Sequence, residues 1–209
     1  MTVLCRGVGV TLSLFAITIL LSIPLGLGAT FLSNCKTAPL RWITRGYVFL
    51  MRGTPLMLQL FFFYFGLPQI PYIGQYLTMD RFPAACVTFV LNYAAYFCEI
   101  FRGGLLSIDR GQYEAARVLG MNRIQTTFKV VLPQMIKVVL PATSNEAITL
   151  IKDTALVTSI GIADLLHFTK SLVNGTANVT PFFVAAVFYL VMTFGLTKLF
   201  GYFEKKFMF

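Results

Sequence analysis

Three ionisable side chains interrupt an apolar run in the C-terminal third of the chain: Glu146, Lys152 and Asp153, in NEAITLIKDTALVTSIG, residues 145–161. On a helix, residues seven apart fall within about 20° of the same face and lie roughly 10 Å apart along the axis. Glu146 and Asp153 therefore share a face, with Thr149 between them, and Lys152 points about 120° away. A stripe with a carboxylate at each end and a hydroxyl between can meet a ligand with two separated positive groups, such as an α-amino group and a guanidinium or ammonium tip. The same acids could instead pair with Arg52, Arg102 or Lys152 of another protomer and hold the protein together. The residues alone leave both readings open. Asn92 is a further candidate ligand contact, or else makes an interhelical hydrogen bond worth about 1 kcal/mol. Glu99, three residues before Arg102, suits a local salt bridge, and Gln59 suits either a lining or a packing role. The single His167 has no Asp or Ser arranged with it as a catalytic set and reads as a loop residue. Cys5, Cys35, Cys86 and Cys98 show neither CxxC spacing nor histidine partners. No catalytic residue and no metal ligand is expected.

The elements that must position these residues are membrane helices. Of 209 residues, 57% are apolar and only 12% charged, and the mean hydropathy is +0.76. A soluble domain carries about a quarter charged residues. The apolar residues form blocks: 8–32, 54–68 with flanking residues from about Tyr47, 82–101, 138–163 and 182–203. The first is uncharged, too long for the apolar part of a signal peptide, and long enough to cross a hydrocarbon core of ~30 Å as a helix. In lipid every backbone polar group must be satisfied within the segment, which forces these spans to be helical. The expectation is an all-α integral membrane protein with five transmembrane helices in one domain, residues 1–209. A carboxylate at such depth usually faces a bundle interior or a water-filled cavity and marks a transport route.

Charge distribution orients the chain. Lys36, Arg41, Arg45 and Arg52 lie between the first two spans, Arg102, Arg110, Arg117, Arg123, Lys129 and Lys137 between the third and fourth, and Lys198, Lys205 and Lys206 near the end. The other side keeps only Arg6, Arg81 and Lys170. Basic residues gather on the cytoplasmic side, which predicts the N-terminus outside and the C-terminus inside. The net charge of +9 thus reports topology, and a nucleic-acid partner is not expected. Arg52, Thr54 and Pro55 read as a helix start, with Thr54 as N-cap and Pro55 at the first position. FFFYF, residues 61–65, reads as lipid contact and packing.

The segment from Arg102 to about Lys137 is the one long loop. Asp109 and Gln112 have capping-box spacing, and Gly120 suits a helix stop, predicting a helix of roughly ten residues between them. A second amphipathic piece, from about Arg123 to Leu132, is expected to stop at Pro133. This loop suits docking into a groove on a cytoplasmic partner.

EAARVLGMNRIQTTFKVVLP resembles the EAA loop of ABC importer permeases: Glu114, Ala115, Ala116, a glycine six residues after the Glu at Gly120, an aliphatic Val130, then Leu132 and Pro133. RGTPLMLQLFFFYFGLP, NYAAYFCEIFRGGLLSIDRGQYEAA and NEAITLIKDTALV resemble the polar amino acid branch of that family. The resemblance implies a five-helix permease subunit, working as a dimer with an identical or homologous permease in a bacterial cytoplasmic membrane. It implies a cytoplasmic ABC ATPase dimer holding the EAA helix, and an extracytoplasmic amino acid binding protein. The chain has no GxxxxGK[ST] phosphate loop, so it binds no cofactor of its own, and ATP and Mg belong to the ATPase subunit. Glu114 would anchor the turn that seats the helix, Ala115 and Ala116 would permit close approach, and Gly120 would allow the sharp exit. Relatives handling cationic amino acids carry Asn-Glu where this chain has Asn145 and Glu146, with a second acid at Asp153. The expected substrates are arginine, lysine or histidine; neutral polar amino acids or cystine are the alternative. A scaffold that merely anchors the ATPase would explain the EAA-like helix but not the intramembrane carboxylates.

Overall fold

The computed structural model describes residues 2–208, and among these it contains helices, tight helical turns and loops, with no strand. The chain opens with α1, Thr2–Ser33. This helix is apolar on every side, so hydropathy cannot say which face turns inward. Its buried positions are Leu4, Gly7, Thr11, Leu14, Thr18, Ser22, Gly26, Thr30 and Ser33, repeating every three or four residues and mostly small. Small side chains let membrane helices approach backbone to backbone. A Cβ added at Gly26 would lie 2.7 Å from Phe97 Cβ and 2.9 Å from the Ala94 carbonyl oxygen, and one at Gly7 would lie 2.7 Å from the Leu165 backbone. Thr30 Oγ1 lies within hydrogen-bonding distance of the carbonyls of both Gly26 and Cys98, at 2.8 and 3.1 Å.

The central element is α4, Arg81–Leu106, whose Phe89, Tyr93, Phe97 and Phe101 build the main core with Leu14, Met135, Val139 and Leu150. The second span departs from expectation. Residues 38–53 form a separate amphipathic helix, α2 (Ala38–Gly53), and α3 (Leu56–Phe61) turns away from it by 108°. Thr54 is therefore not an N-cap. Proline disfavours helical geometry in the residue before it, and Thr54 is extended, with φ −119° and ψ 148°. It ends α2 by donating its hydroxyl to Leu50 O. Beyond α3 the FFYFG stretch widens into a π turn, Phe62–Gly66, leaving Phe62 and Phe65 exposed.

The loop after α4 holds α5, Arg110–Val118. Asp109 caps it by accepting from Gly111 N at 2.6 Å, but Gln112 does not complete a box, because its side-chain oxygen accepts from Gln134 Nε2. The reciprocal box forms beyond α5, between Asn122 and Gln125 at the start of α6, Arg123–Thr126. Gly120, at φ +72°, closes α5: Gly120 N donates to Arg117 O and Met121 N to Ala116 O, the paired bonds of a Schellman end. Open space surrounds a Cβ at Gly120, so Gly120→Ala meets only the conformational penalty, about 1–2 kcal/mol. Faster hydrogen exchange at Leu119 to Met121 is the expected readout, with Gly120→Asn near wild type because asparagine visits this region.

Pro133 does not stop a helix. A π turn, Thr127–Val131, precedes α7, Leu132–Asp153, and Leu132 N donates back to Thr127 O. Pro133 thus sits in the first turn of α7, where a missing N–H is tolerated. The path runs unbroken from Arg123 to Ile160, starting well before residue 138, and bends by 56° into α8, Leu165–Thr176. His167 lies in α8 rather than in a loop, and its N–H donates to the buried N-cap Asp164. The last described helix is α9, Thr180–Met208. By length and composition α1, α4 and α9 can cross a membrane alone, and each bent pair counted as one span raises the number to five.

Candidate functional site

The break between α2 and α3 leaves backbone groups without helical partners at the depth of Asn92. Side chains satisfy them: Gln59 Nε2 donates to Met51 O and to Thr54, and Asn92 Nδ2 donates to Met51 O at 3.0 Å and Gln59 Oε1 at 2.9 Å. Irregular backbone at membrane depth persists only when satisfied in this way or facing a cavity. Both conditions hold here.

The cavity beside the break measures about 530 Å³, and its walls come from the break itself, α4 and the end of α7. It gathers Glu146, Thr149, Asp153 and Asn92. Lys152 is exposed and absent from its lining, as the helical angle dictates. Asp153 Oδ2 accepts from Tyr93 OH at 2.7 Å. Among the described residues neither Glu146 nor Asp153 has a cation within 4 Å, because the described salt bridges both fall on Glu99. That carboxylate takes Arg102 through two hydrogen bonds, at 2.9 and 2.6 Å, as its spacing predicts, and Arg52 at 3.5 Å. Asn92 is buried, and its amide nitrogen is spent on the interhelical bonds above, so only its oxygen remains for other use.

From the sequence Arg52 reads as part of a helix start or as an ion-pair partner of the two acids, and not as a lining residue. The structure places it on the cavity wall, with its guanidinium 5.4 Å from the Tyr96 ring centroid. The signal was available: an arginine beside a Gly-Thr-Pro break, abutting an apolar run, is as unusual at that depth as a carboxylate. Tyr93 and Tyr96 were missed too, since tyrosines in an apolar helix carry no positional mark. The cavity thus holds two carboxylates, one guanidinium, the hydroxyls of Thr54, Tyr93, Tyr96 and Thr149 and an amide oxygen, a set suited to binding a charged polar ligand.

The second group of candidates lies at α5. Glu114, Ala115 and Gly120 are on the surface, whereas Ala116 turns inward and is 2% exposed. Glu114 makes no hydrogen bond or ion pair among the described residues, and backbone bonds close the turn after α5. Exposed Val118, Leu119 and Ile124 surround the Gly120 corner.

The described residues form an apolar helical bundle with a break between α2 and α3 and an exposed helix, α5, in the loop after α4. Residues 22–208 match the family described as the binding-protein-dependent transport system inner membrane component, and the chain belongs to it. Among curated relatives, it is 38% identical over 205 residues to the arginine transport system permease protein ArtQ of Bacillus subtilis (strain 168), covering 96% of this chain and 90% of that one. It is 37% identical over 199 residues to the L-cystine transport system permease protein TcyB of the same organism, covering 93% and 82%. A crystal structure of an amino acid ABC transporter with histidines superposes with a TM-score of 0.89 at 33% identity, covering 98% of this chain and 94% of that one. The chain is an integral membrane permease subunit of an amino acid ABC importer, a transporter component and not an enzyme.

Proposed function

We propose that this permease carries cationic amino acids, arginine, lysine or histidine, and that Glu146, Asp153, Thr149 and Asn92 contact them. The observation carrying this reading is the charge content of the 530 Å³ cavity. A dibasic amino acid bears two positive groups and one carboxylate, and the cavity offers two carboxylates without cationic partners and one guanidinium. Glu146 and Asp153 receive the α-ammonium and the side-chain cation, and Arg52 receives the carboxylate. Cystine is the second reading, favoured by the 37% relative named for it, but its two carboxylates would share one guanidinium.

In this reading residues 1–209 form one domain of five spans, N-terminus out and C-terminus in, in a bacterial inner membrane. Two permeases, identical or homologous, form the path. A binding protein outside the membrane delivers substrate. A cytoplasmic ATPase dimer, which holds the ATP and Mg, grips α5 through Glu114, Ala115 and Gly120, with Ala116 packing the helix onto the permease. The chain itself binds no cofactor. ATP binding draws the two α5 helices together and opens the cavity outward; hydrolysis relaxes it and releases substrate inward.

The test is uptake by vesicles containing permease, ATPase and one fixed binding protein, with labelled arginine, lysine, histidine, glutamine and cystine. Arginine or lysine uptake well above glutamine and cystine, with ATPase activity rising as binding protein is loaded, is the expected result. Preference for cystine or glutamine would replace the substrate assignment, and ATPase stimulation without any uptake would reduce the chain to an anchor.

A further inference from the structure

A second hollow, about 400 Å³, lies outside the acidic cavity and is walled by Arg45, Phe49, Arg52, Glu99, Arg102 and Ser33. Three guanidiniums surround one carboxylate, and that carboxylate is already engaged by Arg102 and Arg52. Arg45 is exposed and has no carboxylate within 4 Å among the described residues. The hollow therefore presents an excess of positive charge with donors left over, and it suits an anion.

Its depth follows from the helices that form it. Ser33 is the last residue of α1, a helix of 32 residues that outspans a hydrocarbon core, and Arg102 stands four residues from the end of α4. The hollow thus sits where two spans leave the apolar layer, whichever way the chain is oriented. Arg41, Arg45 and Arg52, spaced by four and seven, form one row along α2. Beside that row Trp42 and Phe49 are 74% and 82% exposed. Tryptophan favours the membrane interface and phenylalanine the apolar layer beside it, and basic pockets between spans at headgroup level receive anionic lipid heads.

We propose that this hollow binds the phosphate of an anionic phospholipid, with Arg45 and Arg102 holding the phosphate oxygens and Trp42 and Phe49 lying along the upper acyl chains. Free phosphate offers the same oxygens but nothing to cover the two exposed aromatic rings. Because Arg52 walls both this hollow and the acidic cavity, the bound lipid also fixes the end of α2 that faces the cavity. None of this depends on which amino acid is carried.

The experiment uses the permease assembled with its ATPase, delipidated and returned to nanodiscs of phosphatidylcholine with graded fractions of phosphatidylglycerol. Native mass spectrometry then counts retained lipid. Wild type should hold phosphatidylglycerol in preference to phosphatidylcholine. Arg45→Gln should lower that retention about fivefold, the effect of one basic residue near the surface. Lys205→Gln, which removes the same charge from exposed α9, should not. Millimolar inorganic phosphate should fail to displace the lipid. Equal retention in both variants would overturn the site, and displacement by phosphate would make it a phosphate site instead. Cross-linking of Arg45→Cys to a second permease copy, without lipid preference, would overturn it in favour of a contact between permeases.

Discussion

Glu146→Gln should lower arginine and lysine uptake about 30-fold while glutamine uptake, where measurable, stays within about twofold. Losing one partner of a desolvated charge pair costs about 2 kcal/mol or more, and 1.4 kcal/mol is a factor of ten. Glu146 is the sharper probe of the two acids because no described side chain bonds to it, so the change removes charge with little local rearrangement. Asp153→Asn should act comparably on transport and still assemble, since Tyr93 OH can still donate to the amide oxygen. The comparison requires one binding protein throughout and intact stimulation of the ATPase. Equal loss for every substrate, or failure of the complex to assemble, would instead assign these acids to holding the bundle together.

Gly26→Val should strongly damage the contact between α1 and α4. The atoms nearest a Cβ there are Phe97 Cβ, the Ala94 carbonyl and the Cys98 nitrogen, at 2.7, 2.9 and 3.1 Å. None is the loose end of a side chain, so relief requires α1 to move off α4. Overpacking of this kind costs typically 1–3 kcal/mol, and immovable backbone puts Gly26 at the upper end, about 3 kcal/mol. For a chain of this size that lowers the melting temperature by roughly 10 °C, readable by fluorescence-detected size exclusion of heated detergent samples. Gly28→Ala is the control: a Cβ there meets nothing within 4 Å, and alanine favours the helix by about 1 kcal/mol. Equal melting of the two variants would show that α1 and α4 are not locked at this point.

The apolar blocks and the seven-residue spacing of the acids were legible because each rests on one periodicity. Glu146, Thr149 and Asp153 line one cavity because they occupy one face of an unbroken stretch of α7. What stayed hidden depended on partners distant in sequence. The inward face of α1 is marked by side-chain size and not by hydropathy, so threonines and glycines that look incidental form its contact. Gln59 was undecidable because its bonding partners, Met51, Thr54 and Asn92, come together only once the chain has turned by 108°. Thr54 and Pro55 misled for a related reason: a proline that can begin a helix also ends the one before it, and the sequence shows both options at once. Pro133 misled in the opposite sense, because a wider turn ahead of it absorbed the missing donor.

The interruption at Thr54 and Pro55 has a mechanical meaning. A continuous helix resists bending because each added residue brings a ladder hydrogen bond, and deflecting it strains many at once. Here the two rods are coupled by a few amide side-chain bonds, from Gln59 and Asn92, and by two extended residues, Thr54 and Pro55. Such a joint has lower angular stiffness than a continuous helix, and its angle is set by Gln59 and Asn92 together with Leu60, which seats α3 in the main core. The cavity wall lies at the fulcrum, where a small rotation changes its width most directly.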